Sequence, residues 1–231
     1  MRGLFFASTL LLAPMLTACV GDARIAMPGD LQSNTEELKL TGLGGWQGGQ
    51  FRLGASQGRF SRRAIQTTVF DTLVRNAGRG SFEVAGPELG GKAAGRCGFE
   101  ERAIDTGIAV LPNGRLTYNC RFELNGTPVA GGLMLAEIPN GSGLLAGRTR
   151  AGELRLGQLT VGIQPIHHAR SGGLPTGTPL GYAFHVAGRQ IGAVDLNGTS
   201  KTIYAPRQPG PERDAVLLAG LALSVFWDPG A

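Results

Sequence analysis

Near the end of this 231-residue chain lies a segment with no polar side. Pro211 opens it, Glu212 and Asp214 follow, and then Ala215-Val-Leu-Leu-Ala-Gly-Leu-Ala-Leu-Ser-Val-Phe-Trp227 runs apolar all round until Asp228-Pro229-Gly230 stops it. Proline at the start, acids at the positive end of the dipole and a Pro-Gly stop predict a helix over Glu212–Trp227. A helix without a polar face must be surrounded by lipid or by protein, and this run falls short of the roughly 20 residues a bilayer crossing takes. The rest of the chain therefore has to wrap it.

What can do the wrapping is strand. Asn-Gly pairs, whose two residues both accept positive φ, recur at Asn113-Gly114, Asn125-Gly126, Asn140-Gly141 and Asn197-Gly198 and mark tight hairpin turns. Between them lie strand-like runs at Ile108–Leu111, Leu116–Leu124, Pro128–Ile138, Leu144–Thr149 and Leu154–Ile163. Two of the pairs match an N-glycosylation sequon through Thr127 and Thr199; they read as turns. A loose echo in Gly49-Gln-Phe51-Arg-Leu53, Gly80-Ser-Phe82-Glu-Val84 and Gly152-Glu-Leu154-Arg-Leu156 alternates apolar with charged residues, as a half-buried strand does. Ser61 to Asn76 is ambiguous: Ile65, Val69, Phe70, Leu73 and Val74 share a helical face, while Thr67-Thr68-Val69 favours strand. The balance leans to helix. The fold class expected is mainly β, an antiparallel meander closing into a barrel around one hydrophobic C-terminal helix.

The other end of the chain addresses location. Arg2, an apolar run from Leu4 to Leu16 and small residues before a cysteine form an export signal. Leu16-Thr17-Ala18-Cys19 resembles the lipobox of bacterial lipoproteins, which implies cleavage after residue 18 and acylation of Cys19; an ordinary cleaved signal with an incidental cysteine is the alternative. Several acyl chains would anchor the protein stably where one would not. Val20 after the cysteine favours the outer membrane, with the protein on its periplasmic face. Residues 19–35 lack periodicity and read as a tether, leaving 36–231 as a single β-rich domain, since about 210 mature residues suffice for one real core.

Two cysteines remain, Cys97 and Cys120, in a compartment that permits disulfides, and a bridge between them is the economical reading. No Cys-x-x-Cys pair is present, and two thiols alone cannot hold zinc. The formal charge is +5, nearly all the basic residues being Arg. Clusters at Arg59, Arg62, Arg63 and at Arg148, Arg150, Arg155 could meet anionic headgroups, with solvated surface charge as the alternative. No Lys/Arg run with interleaved aromatics points to nucleic acid.

Candidate chemistry is sparse. Gly54-Ala-Ser56-Gln-Gly58 matches a nucleophile elbow, yet with nine Ser and 38 Gly such a match arises by chance about one time in four, and too little chain precedes it for a hydrolase sheet. The histidines are His167, His168 and His185; a zinc site would need a further ligand such as Glu153 or Asp195. Glu100, Glu101 and Asp105 offer carboxylates with no evident pocket, and Trp46 in its glycine-rich turn could be a ligand platform or a rim aromatic. No catalytic residue, cofactor or metal ligand is assigned.

Two further stretches carry a family resemblance. Tyr182-Ala-Phe184-His-Val186 with Gly188-Arg-Gln-Ile191-Gly192-Ala-Val194 is similar to a penultimate hairpin of the tubby-like family, which includes the LURP-one-related proteins and the phospholipid scramblases. Arg213-Asp214-Ala-Val-Leu-Leu-Ala-Gly-Leu-Ala-Leu is similar to its central helix. The resemblance implies a closed barrel of about twelve strands and an association with membrane lipids; it supplies no site residue. The expectation is a membrane-anchored envelope lipoprotein serving as a non-catalytic binding or structural module, with a phospholipid-handling module and a serine hydrolase using Ser56 as alternatives. Partners would be the membrane through the anchor, and anionic phospholipid or envelope proteins.

Overall fold

The described residues contain fourteen strands, several with alternating buried and exposed positions. The computed structural model describes residues 24–69, 73–105, 110–112, 116–138 and 149–226. A short helix α1 (Gly29–Asn34) precedes β1 (Thr35–Thr41), β2 (Gly48–Leu53), β3 (Ser56–Val69), β4 (Leu73–Gly86) and β5 (Gly91–Asp105). There follow β6 (Val110–Pro112), β7 (Thr117–Leu124), β8 (Thr127–Pro128), β9 (Gly131–Ile138) and β10 (Thr149–Leu156). Then come β11 (Leu159–Ile166), β12 (Gly181–Val186), β13 (Arg189–Asp195), β14 (Lys201–Pro206) and helix α2 (Pro211–Val225). Every pairing is antiparallel. The ring runs β1-β2-β3-β4-β5-β7-β9-β10-β11-β12-β13-β14 and returns to β1, a closed barrel of twelve strands with β6 and β8 as short side pairings. Each strand of the ring is paired on both sides over part of its length.

Helix α2 fills the barrel. From Ala215 to Val225 every residue is buried, and the helix packs on β3, β4, β5, β10, β11, β13 and β14, strands from all round the ring. The uniform apolarity that made the segment legible is the consequence of this enclosure. Gly220 and Gly192 let the helix approach the sheet: a Cβ on the first would crowd Ile203, and one on the second Val216.

The inner wall uses glycine for space. Phe51 stands opposite Gly58, Phe82 opposite Gly95 and Phe99 opposite Gly78 in register, and each ring lies where the glycine's missing Cβ would be. A large ring and a bare strand thus share one slot, and close packing is reached without displacing the helix.

Turn chemistry follows the expected grammar in part. Asn125 (φ 49°) and Gly126 (φ 80°) make the two-residue turn between β7 and β8. Asn197-Gly198 lies instead in a longer β13–β14 loop, and the β12–β13 hairpin uses Ala187-Gly188, both at positive φ, without an asparagine. The expected run Leu154–Ile163 is two strands parted at Gly157-Gln158. Asn113-Gly114, Asn140-Gly141, Arg148, Trp227 and the whole signal through Cys19 lie outside the described residues.

Two expectations are corrected. Ser61–Asn76 is not helix but the facing arms of β3 and β4, in register from Gln57 opposite Ala85 to Val69 opposite Leu73. The helical face of Ile65, Val69 and Leu73 was a coincidence of spacing across a hairpin, and the β-branched Thr67-Thr68-Val69 carried the true signal. The stretch 19–35 is not all tether: from Arg24 onward it is strapped to the outer wall of β12–β14. Ile25 is fully buried against Ala193 and Tyr204, and its amide donates to the Asp195 carboxylate at 3.1 Å. The Ala26 amide donates to the His168 carbonyl, and Arg24 pairs with Glu37 at 2.7 Å. Isolated apolar residues in a polar segment, Ile25 and Leu31, give too little periodicity to announce such docking.

Cys97 and Cys120 form a disulfide. They face each other directly across β5 and β7, the seam that the ring makes by skipping β6.

Candidate functional site: an arginine wall

With the lumen taken by α2, the side chains that β2–β5 and β7 turn outward form a charged surface. Inward positions hold Phe51, Phe60, Phe82, Phe99, Tyr118 and Phe122, all buried. Outward positions, offset by one residue, hold Arg52, Arg59, Arg63, Arg79, Lys92, Arg96 and Arg121, all exposed. Among the described side chains on this wall only Glu83, Glu100 and Glu123 oppose these seven, so it carries a net +4 of the chain's formal +5.

The arrangement within the wall is uneven. Arg59 pairs with Glu83 at 2.7 Å and Arg96 with Glu123 at 2.9 Å. Arginine also faces arginine: Arg63 stands directly opposite Arg79, and Arg96, besides its bond to Glu123, directly opposite Arg121. Like charges directly across a ladder destabilise a sheet, so Arg63 facing Arg79 adds nothing to the stability of the fold. Between them the floor is Ser61 and Ser81, whose hydroxyls hydrogen-bond each other at 2.9 Å. Two concavities open on this wall. One of about 850 Å³ runs past Gln50, Arg52, Arg59, Lys92 and Arg96; another of about 710 Å³ lies over Ser61, Ser81, Arg63 and Arg79, with Gln47 at its rim. Trp46, 70 % exposed, precedes Gln47 in the turn that leads into β2.

The linear arginine clusters are not the spatial ones. Arg62 points along the inner face to the barrel mouth, where its guanidinium donates to the carbonyls of Leu43, Gly45 and Trp46 and lies over the Phe60 ring; burial lowers its pKa. Arg150 is buried with its guanidinium over Phe226, and Arg155 pairs with Glu153 at 2.5 Å. Only Arg59 and Arg63 belong to the wall. Arg79, Arg96 and Arg121 were missed because register alone brings them together; the usable signal was their shared outward parity on adjoining strands.

The remaining sequence candidates have structural roles. Ser56 is 1 % exposed, at the start of β3 after a two-residue hairpin rather than on a strand-to-helix elbow, and its Oγ accepts the Glu88 amide at 3.1 Å. It sits five strands round the ring from His185 on β12, with α2 between. Glu88 reaches on to Arg213 at 2.8 Å and accepts the Ala55 amide, and Arg213 also pairs with Glu36 and donates to the Pro206 carbonyl. Serine, glutamate and arginine thus tie the N-terminal end of α2 to the barrel rim.

His167 braces its own loop, Nδ1 lying 2.8 Å from the Thr176 carbonyl. Burial lowers the His185 pKa from its ordinary value. Asp195 accepts the Ile25 and Asn197 amides, and burial raises its pKa against those bonds and the nearby Arg24 and Lys201. Glu100 is exposed on β5, and the side chains of Glu101 and Asp105 lie outside those described. Among the described residues no three His, Cys, Asp or Glu side chains converge as a metal site, and no helix is long and apolar enough to cross a membrane. Compared with protein-family models, with curated proteins and with solved structures, the chain gives no match.

Proposed function

We propose that this chain is an exported bacterial envelope lipoprotein, anchored through Cys19 to the outer membrane and facing the periplasm, whose barrel is a non-catalytic binding module. The observation that carries the binding reading is the arginine wall: the protein tolerates facing like charges on its outer surface while its interior is filled by its own helix. The anchor reading rests on Leu16-Thr17-Ala18-Cys19. Palmitate labelling and membrane fractionation of the full chain beside a Cys19→Ser variant test it. Label and membrane association are expected in the first and lost in the second; equal fractionation without label would refute the anchor.

A second reading, a phospholipid-handling module of the tubby-like type, is favoured by the closed twelve-strand barrel around a single helix. Flotation of the Cys19→Ser chain with liposomes, with and without anionic lipid, tests it. Binding insensitive to lipid charge and to salt would count against it.

A further inference from the structure

We propose that the arginine wall seats an acidic polysaccharide, a glycan carrying carboxylate or phosphate groups, on the side of the barrel turned away from the anchoring membrane. The proposal rests on the anchored reading above. Its first support is the paired arginines. Arg63 and Arg79 present two planar donors to one gap, and a bridging carboxylate or phosphate would relieve their repulsion while taking forked hydrogen bonds from both; Arg121 extends the site beside Arg96, whose guanidinium is shared with Glu123. The two pairs lie two strands apart, roughly 10 Å across the sheet, which suits a chain charged at intervals rather than a single small anion.

The second support is the surface between the charges. Ser61, Ser81, Gln50 and Gln57 offer hydroxyl and amide groups to sugar hydroxyls, and no large apolar side chain described on the wall faces outward to form the dry centre a protein partner needs. At the rim stands Trp46, an exposed indole able to stack on the face of a sugar ring, two residues before Gly48, which lies opposite Ser61.

The third support favours glycan over headgroup. Ile25 is fixed to the wall of β12–β14 six residues after Cys19, a reach of at most about 20 Å, so an acyl anchor on that cysteine would bring the β13 side nearest the bilayer. In the ring of twelve, β5 is six strands from β13, directly across the barrel. The arginines consequently face off the membrane, where glycan and not its own headgroups is met.

The test uses the full chain carrying Cys19→Ser and measures affinity for polygalacturonate, for phosphatidylglycerol vesicles and for single-stranded DNA at several salt concentrations. Polygalacturonate binding that weakens with salt is expected. It falls about tenfold in Arg79→Gln/Arg121→Gln and again in Trp46→Ala, and is unchanged in Arg155→Gln/Arg189→Gln, which removes equal charge elsewhere. Arg79→Glu gives the second readout: facing Arg63 it raises the melting temperature while abolishing binding. No binding, equal loss in the control pair, or tighter binding of vesicles or DNA through the same arginines would overturn the proposal. Palmitate labelling reads the anchor separately, so the failure of one does not mimic the failure of the other.

Discussion

A side chain at Gly95 has nowhere to go. The Phe82 ring occupies the space, and Gly95→Val is expected to lower stability by about 2 kcal/mol through overpacking, read as a fall in the urea midpoint with the slope unchanged. Asp195 makes a pH prediction. Unfolded, its carboxyl ionises near pH 3.9, and burial raises that value in the native protein. Folding in the window between the two takes up a proton, so the contribution of Asp195 is present at the acid end and is lost as pH rises through the native value. Asp195→Asn, which cannot ionise, removes that slope from the pH profile of the urea midpoint. The same substitution leaves one carboxylate acceptor short for the Ile25 and Asn197 amides, and faster hydrogen exchange at Ile25 is expected. Little of this could be read from the chain beforehand. A glycine beneath a ring and an aspartate beneath a strap depend on which strand arrives opposite, and composition does not carry register.

At the scale of the element, α2 is fastened by one buried arginine. Arg213 and Glu88 are 7 % and 13 % exposed in their side chains, and removing one strands the other's charge. Arg213→Met is expected to cost about 3 kcal/mol, and Arg213→Met/Glu88→Gln distinctly less than the sum of the two single changes, the signature of a coupled pair in a double-mutant cycle. The Cys97–Cys120 bridge stitches β5 to β7, and Cys97→Ala/Cys120→Ala should lose about 3 kcal/mol in thermal or urea unfolding. Elements were the most legible level. The helix spoke through its capping residues and its missing polar face, and the disulfide through cysteine arithmetic. The β3–β4 arms misled because five apolar residues between Ile65 and Val74 fall at helical spacing, and the strap at Ile25 stayed silent because so short an apolar stretch has no period.

The whole molecule was legible in outline: hairpins plus an oily helix leave few solutions other than a sheet rolled around it. The arginine wall was not, since its members come from five strands and the linear clusters scatter to the barrel mouth, the core and the opposite wall. Completeness of the barrel yields a prediction at this scale. A chain stopped after Pro206 retains every strand but lacks the filling, and it is expected to show no cooperative unfolding transition and to bind a hydrophobic dye, where the full chain melts in one step and does not.

The position of α2 after all fourteen strands has a consequence for biogenesis. The hairpins are delivered first and the hub around which they turn is delivered last, so for as long as the polypeptide is still emerging its greasy sheet has nothing to close upon. Closure of the barrel waits on delivery of the fifteen-residue helix rather than on the speed of any hairpin, and until then the apolar inner face is open to aggregation.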